Sequence, residues 1–413
     1  MLAVLAPGQG SQKPGFLTPW LDLPGAAARL RWWSALAGVD LVHLGGQADA
    51  DEIKDTAKTQ PLLVAAALLA AEQLPLYDVA LLAGHSVGEL GAAALAGVLA
   101  PEAAVTLAGV RGREMAAACA LEPTGMSAVL GGDPDDVLVK VEAAGLYAAN
   151  RNGAGQVVVA GATDRLASFA ADPPARAKVV TLQVAGAFHT PYMAPAEKAL
   201  EAVAAGITPG EPHKILLSNA DGAAVTNGHE MLQRLVRQVT APVRWDLCMQ
   251  SLADLGVTAV IELPPAGTLA GLVKRAVKGI EIVTVKTPDD LAAARDLIAR
   301  HGVAPSHEPV PHFRVAVATA AGNFTPAGDV DEGASIRARQ VIGYVVTRQG
   351  EVEVTAHEAG TLVEWLAHRD DPVAPGQPLA RLHPATIDSA VHATADSTAP
   401  VSGPQPGPSE GQQ

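Results

Sequence analysis

The residues Gly84-His-Ser-Val-Gly88 stand directly after an apolar run, Val79 to Ala83, and directly before an Ala/Leu-rich stretch, Glu89 to Ala100. A strand that turns through small residues into a helix is the setting of a nucleophile elbow. Glycine at both flanks permits the tight turn, and the Ser86 hydroxyl is left exposed at a helix N-terminus. Such an elbow requires a mostly parallel sheet with helices packed on it. The bland alternative for Ser86 is an ordinary helix-capping serine.

The rest of the chain up to about residue 300 agrees with that requirement. Short Val/Leu/Ile runs alternate with Ala/Leu-rich helical segments, and strands are expected at Leu2–Ala6, Val79–Ala83, Lys214–Ser218 and Ala259–Glu262. Between about 125 and 187 the order changes to βαββαβ: Met126–Gly131, helix Pro134–Ala144, Tyr147–Asn150, Gln156–Ala160, helix Asp164–Ala171, Lys178–Val184. That order is ferredoxin-like and predicts a small subdomain inserted in the larger α/β one. With 49% hydrophobic residues among 413, the chain has enough apolar area for such a core, which excludes disorder for most of its length.

Residues 301–312 carry three prolines and read as a semi-rigid linker, so the domain 1–300 ends there. A second domain is expected over 313–383. In it Ala318-Thr-Ala-Ala-Gly-Asn-Phe324 recurs as Ala356-His-Glu-Ala-Gly-Thr-Leu362, and Gln340–Val345 has a looser counterpart in Gln377–Leu382. Two similar halves of short strands predict a small all-β sandwich with pseudo-twofold symmetry. The Ala, Ser, Thr, Pro and Gly of 384–413 show no periodicity and predict a disordered tail.

Charge and cysteine content narrow the function. The net charge of −14 repels phosphate backbones and leaves no footprint for nucleic acid. Cys119 and Cys248 form no CxxC or His-rich cluster, so neither a disulfide framework nor a zinc site is expected, and a reducing cytoplasm fits. Met1–Gly8 lacks the basic region of a signal peptide. The apolar runs 61–71 and 90–100 are interrupted too early to span a bilayer.

A nucleophilic serine needs a base, and His189 in Gly186-Ala-Phe-His-Thr-Pro191 is the candidate, although a lone histidine is more often structural. His85 is nearer in sequence, but neighbouring residues at an elbow point in different directions. The segment Gly8-Gln-Gly-Ser-Gln12 lacks phosphate-loop spacing. It can bring a backbone N–H beside Ser86, making an oxyanion hole with the N–H of Val87, or be a tight surface turn. Arg111 is either a solvated charge or, facing the site, a planar fork for a substrate carboxylate.

Taken together, residues 1 to about 285 resemble the malonyl-CoA:acyl carrier protein transacylases of type II fatty acid synthesis and, more distantly, polyketide acyltransferase domains. The resemblance is carried by GQGSQ at 8–12, TQP at 59–61, GHSVGE at 84–89, RGREM at 111–115, ANRNGAGQVVVAG at 149–161, GAFH at 186–189, and VRQ with PVRW within 236–245. It implies a hydrolase-like α/β subdomain with the ferredoxin-like one inserted, Ser86 as nucleophile, His189 as base, Gln9 and Val87 as oxyanion donors, and substrate contacts from Arg111, Asn150, His85 and Phe188. Gln238 would orient His189 through its backbone carbonyl. Substrates would be malonyl-CoA and the phosphopantetheine thiol of acyl carrier protein, with no cofactor. The Ala187-Phe188 pair resembles the version associated with malonyl rather than methylmalonyl.

Two departures and two open readings accompany this resemblance. Glu262-Leu-Pro-Pro-Ala-Gly267 replaces the usual Gly-Pro-Gly turn. The second domain resembles a biotinyl/lipoyl attachment module whose modification hairpin reads Thr347-Arg-Gln-Gly-Glu351, yet no lysine follows Lys286. Amide attachment of biotin or lipoate is therefore chemically impossible there, and the module is expected to serve docking or assembly. Lys274, Arg275 and Lys278 are candidates for carrier docking or simply a solvated helix face. A polyketide-associated acyltransferase and a serine hydrolase or thioesterase remain alternatives, as does a scaffold role for 313–383.

Overall fold

The computed structural model describes residues 1–302 and 313–384, which divide into two compact units. The first unit holds β1 (Leu2–Ala6), β2 (Leu81–Gly84), β3 (Thr124–Gly131), β4 (Tyr147–Gly153) and β5 (Gln156–Ala162). It continues with β6 (Ala177–Thr181), β7 (Ile215–Leu217), β8 (Ala224–Val225), β9 (Ala259–Glu262) and β10 (Glu281–Thr284).

Its main sheet has the order β10-β9-β1-β2-β7-β8, parallel except for the short β8 edge. β1 and β2 are buried at every position, as a parallel sheet covered on both faces demands. The helix Thr56–Ala71 is apolar almost all round and lies in the core, packed on the helix Pro101–Cys119. The sheet ends on its carboxyl side at Ala6, Gly84 and Glu262, which are in register or one step apart. Crevices at that edge are where open α/β sheets place their ligands.

The βαββαβ segment forms a separate antiparallel sheet of order β4-β5-β3-β6, the ferredoxin-like order. The helices Pro134–Ala143 and Thr163–Ala171 cover one face through Val137, Val141, Leu166 and Phe169. Met126, Ala149, Val158 and Ala160 on its other face join the main core.

Several boundaries differ from expectation. The helix after Ser86 runs only from Gly88 to Leu95, because Gly97 takes a left-handed φ of 84° and Pro101 starts a new helix. β6 ends at Thr181 rather than Val184, and the helix Leu291–His301 carries regular structure one residue into the expected linker before Gly302. The rest of that linker, 303–312, and the tail from 385 lie outside the described residues.

The described C-terminal residues 313–384, most of them in the second unit, contain β11 (Arg314–Val317), β12 (Gly322–Pro326), β13 (Ser335–Ile336), β14 (Val341–Thr347), β15 (Gly350–Thr355), β16 (Gly360–Trp365), β17 (Pro372–Val373) and β18 (Pro378–Pro384). β18 thus reaches one residue into the expected tail. The two four-stranded sheets, β11-β18-β16-β13 and β15-β14-β12-β17, exchange when the two halves of the sequence are exchanged. The internal repeat maps onto this symmetry: Ala318 and Ala356, both fully buried, each donate a backbone bond at 2.8 Å, to Gln377 O and Gln340 O respectively. Phe324 and Leu362 fill equivalent core positions.

Candidate active site

The elbow is built by its glycines. A Cβ on Gly84 would lie 2.1 Å from the carbonyl carbon of Gly88, and one on Gly88 would lie 2.2 Å from Ala6 O. Neither side chain is tolerable at such distances, so the turn between β2 and its helix closes only with glycine at both places. Ser86 itself is held at φ 54°, the strained conformation of an elbow nucleophile. Its backbone N–H donates to Asn219 Oδ1 at 2.8 Å.

The structure brings His189 to Ser86 across 103 residues. Ser86 Oγ lies 2.7 Å from His189 Nε2, and His189 Nδ1 lies 2.8 Å from the backbone carbonyl of Gln238. A carbonyl only accepts, so Nδ1 carries the proton and Nε2 is the free acceptor facing the hydroxyl. His189 is 4% exposed and has a φ of 60°. Burial, with the Arg111 charge second, pushes its pKa down to about 3, so the ring is neutral at ordinary pH. The loop that carries it is pinned by Thr124 Oγ1, which accepts from Ala187 N–H at 3.1 Å. Phe188 is buried in the main core.

Arg111 is not a solvated charge. It is 2% exposed, and burial lowers its pKa to about 10 against the opposing pull of Glu89. Nη1 donates to Gln60 Oε1 at 2.6 Å, and Nη2 to Gln238 Oε1 at 3.0 Å and to Ser86 Oγ at 3.4 Å. Arg111 has no salt bridge among the described residues. A guanidinium fixed in this way beside the nucleophile is ready for an anionic group of a bound substrate.

Gly8 packs on the elbow, where a Cβ would lie 2.6 Å from His85 O, and this places the Gly8–Gln12 turn beside Ser86. The backbone N–H groups of Gln9 and Val87 have no hydrogen-bond partner among the described residues. The Gln9 side chain points elsewhere, donating to Lys54 O at 3.3 Å.

His85 and Asn150, two of the expected substrate contacts, lie half-buried at the elbow and on β4. His85 Nε2 lies 2.9 Å from Asn152 Oδ1, its ring meets Trp245 edge-on, and burial depresses its pKa. Asn150 Oδ1 is buried without a partner among the described residues, and Asn152, two positions on, is the asparagine of that run that reaches the elbow.

Sequence reasoning missed Gln60, Glu89, Asn152 and Asn219. Gln60 and Glu89 lie inside quoted motifs, TQP and GHSVGE, but Glu89 looks like any acid in the first turn of a helix. It is 1% exposed, accepts from Asn219 N–H at 2.6 Å, and accepts from Gln238 Nε2. Burial pushes its carboxyl up to about 8, opposed by that N–H and by Arg111, and both of its oxygens act as acceptors. Asn219 has no local signal, lying 133 residues from the serine it supports.

The loop that departs from Gly-Pro-Gly is also built. It contains a cis Pro264–Pro265 bond, and the fully buried Glu262 carboxylate accepts from the N–H groups of Gly267, Leu269 and Ala270 at 2.8–2.9 Å. Lys274, Arg275 and Lys278 are exposed, near the far end of the helix Thr268–Ala276 that starts at this loop.

A family model described as acyl transferase domain matches residues 5–299. The chain belongs to the acyl transferase family. It is 54% identical over 296 residues to the malonyl CoA-acyl carrier protein transacylase of Mycobacterium tuberculosis, covering 70% of this chain and 98% of that one. The Escherichia coli protein of the same name is 32% identical over 311 residues, covering 71% of this chain and 99% of that one. Among solved structures, the MCAT of Mycobacterium tuberculosis is similar with a TM-score of 0.69 and 52% identity, covering 71% of this chain and 99% of that one. A malonyl-transacylase solved with its type II PKS acyl-carrier protein is similar with a TM-score of 0.66 and 29% identity, covering 72% and 99%. These matches span the first unit, and among the described residues no helix is long and apolar enough to cross a membrane.

Proposed function

We propose that this acyltransferase moves the malonyl group from malonyl-CoA to the phosphopantetheine thiol of acyl carrier protein through a malonyl ester on Ser86, supplying fatty acid chain elongation in the cytoplasm. The observation that carries the proposal is the buried Arg111 guanidinium placed 3.4 Å from the hydroxyl that His189 holds at 2.7 Å. A hydrolase of neutral esters has no use for a desolvated cation there. Relatives named as malonyl transacylases over nearly their whole length support the substrate.

His189 Nε2 removes the Ser86 proton, and Oγ attacks the thioester carbonyl to form a tetrahedral oxyanion held by the N–H groups of Gln9 and Val87. Collapse breaks the C–S bond, and His189 gives the proton to the departing CoA sulfur. The carrier thiol then gives its proton to His189 and attacks the ester. Oγ leaves and takes the proton back. Gln238 O keeps His189 Nδ1–H in place through both halves, the task a carboxylate has in a Ser-His-Asp triad. The malonyl carboxylate pairs with Arg111, which offsets the charge that opposes protonation of His189. Acetyl-CoA leaves that buried guanidinium without an anionic partner, at a cost on the order of 2 to 4 kcal/mol. Phe188 before the histidine goes with malonyl rather than methylmalonyl. The protein groups in these steps are the side chains and N–H groups named, and no metal or organic cofactor is expected to take part.

Initial rates measured at several concentrations of both substrates test the acyl-enzyme. Parallel double-reciprocal lines are expected, and intersecting lines contradict it.

The second unit reads as a biotinyl/lipoyl-like module that carries no cofactor. Its two exchangeable four-stranded sheets support that relationship, and its β14–β15 turn offers Arg348 and Gln349 where an attachment lysine would be needed. Co-expression with a biotin ligase should leave the protein mass unchanged.

A further inference from the structure

A glutamine amide can turn either its oxygen or its NH2 toward a neighbour, and the groups at its two ends decide which. At Gln238 those ends differ in kind. Arg111 can only donate, and it meets Oε1. Glu89 accepts at both carboxyl oxygens, and Nε2 is one of its two donors. The other oxygen of Glu89 accepts from a backbone N–H, that of Asn219, which cannot turn. The side-chain amide of Asn219 is fixed as well, since Oδ1 accepts from Ser86 N–H and Nδ2 donates to Gly84 O, both at 2.8 Å. Gln238 Nε2 reaches that same Oδ1 at 3.2 Å. Each amide in this buried cluster therefore has a single satisfied orientation, and the accepting end that stands opposite Arg111 is Glu89.

We infer that Glu89 is a positioning residue for acyl selectivity: it keys the Gln238 amide so that an oxygen, rather than an NH2, meets Arg111. The guanidinium is thereby gripped by two neutral oxygens, Gln60 Oε1 and Gln238 Oε1, and keeps its charge free of a touching carboxylate. A carboxylate in direct contact would orient Arg111 equally well but would occupy the position that a malonyl carboxylate needs. Glu89 achieves the orientation from one side chain further away, on the same helix turn that fixes Ser86. This inference rests on the reading that Arg111 binds the substrate carboxylate.

The test is the ratio of kcat/KM for malonyl-CoA to that for acetyl-CoA, with carrier protein as acceptor, in the full chain, Arg111→Ala, Glu89→Gln, and Glu89→Gln combined with Gln238→Glu. In Glu89→Gln an NH2 must face either Gln238 Nε2 or the Asn219 N–H, and no arrangement satisfies both. The ratio should fall by roughly tenfold or more, as expected for a buried donor left facing a donor. The double variant restores donor against acceptor along Asn219 N–H, residue 89, residue 238 and Arg111, so it keeps the test alive if the single variant does not fold. It also puts a carboxylate on Arg111, and the ratio should stay low. A merely structural Glu89 would lower both acyl groups in proportion. A ratio within about twofold of the unaltered chain in either variant overturns the inference, since such a change is below the effect of one lost buried hydrogen bond. If the unaltered chain and Arg111→Ala share one ratio, the carboxylate reading fails first and takes the inference with it.

Discussion

At the residue scale the site is governed by burial. His189 is kept neutral by desolvation and by Arg111, which depress its pKa to about 3 from an ordinary value of 6.5. The rate at which a neutral phosphonate labels Ser86 should therefore stay flat as pH falls from 8 to well below 6.5, and an acid limb near 6.5 would contradict a buried neutral base. The same shift bears on stability. Below pH 6.5 the unfolded chain takes up a proton that folded His189 refuses, so stability is fully present above 6.5 and is lost as pH falls toward 3. The loss is about 1.4 kcal/mol per unit at most. Thermal melts between pH 7 and 4.5 should fall less steeply for His189→Asn than for the unaltered chain. Ser86, His189 and Arg111 were legible because each lies in a short motif whose residue types announce their chemistry, whereas the Gln238 carbonyl was legible only through the family resemblance. Glu89 and Asn219 were not, because their role is to satisfy other polar groups, and only the folded chain shows which groups those are.

At the element scale the decisive piece is the turn from β2 into the helix Gly88–Leu95. The GxSxG spacing predicts it, and the structure supplies the reason: Gly84 and Gly88 leave no room for a Cβ against each other or against Ala6 O. Gly88→Ala should destabilise the protein by on the order of 3 kcal/mol and abolish Ser86 labelling in whatever folds, as read by denaturant unfolding and by the phosphonate. A stable, fully labelled Gly88→Ala would contradict the packing described for the elbow. The length of the elbow helix was less legible, because alanine-rich sequence runs on past Leu95 without a change in propensity. The stop comes from the backbone at Gly97 and the restart at Pro101. Similarly, the βαββαβ order was plain from alternating texture, whereas the ends of β6 depend on its pairing with β3 rather than on local composition.

For the whole molecule, the family match and the full lengths of the relatives fall within the first unit, and every residue of the proposed mechanism lies there. A chain ended after residue 302 should transfer malonyl to carrier protein with kcat/KM within about threefold of the full chain, a margin of under 1 kcal/mol. A collapse of activity on that truncation would give the second unit a part in the chemistry. The pseudo-twofold of that unit was legible from a seven-residue repeat, since both copies supply the same buried alanine and core apolar residue. Its partner was not, because a surface without a modification lysine carries no comparable chemical signature.

The central claim is that Ser86 carries malonyl from one thioester to another. Intact-protein mass measures this directly: the protein is mixed with malonyl-CoA, or with acetyl-CoA for comparison, then freed of excess donor and given phosphopantetheinyl carrier protein. A malonyl adduct absent from Ser86→Ala, disfavoured in Arg111→Ala, and lost from the enzyme as the carrier gains it is the predicted result. An adduct that leaves only to water, or none in the unaltered chain, would contradict it.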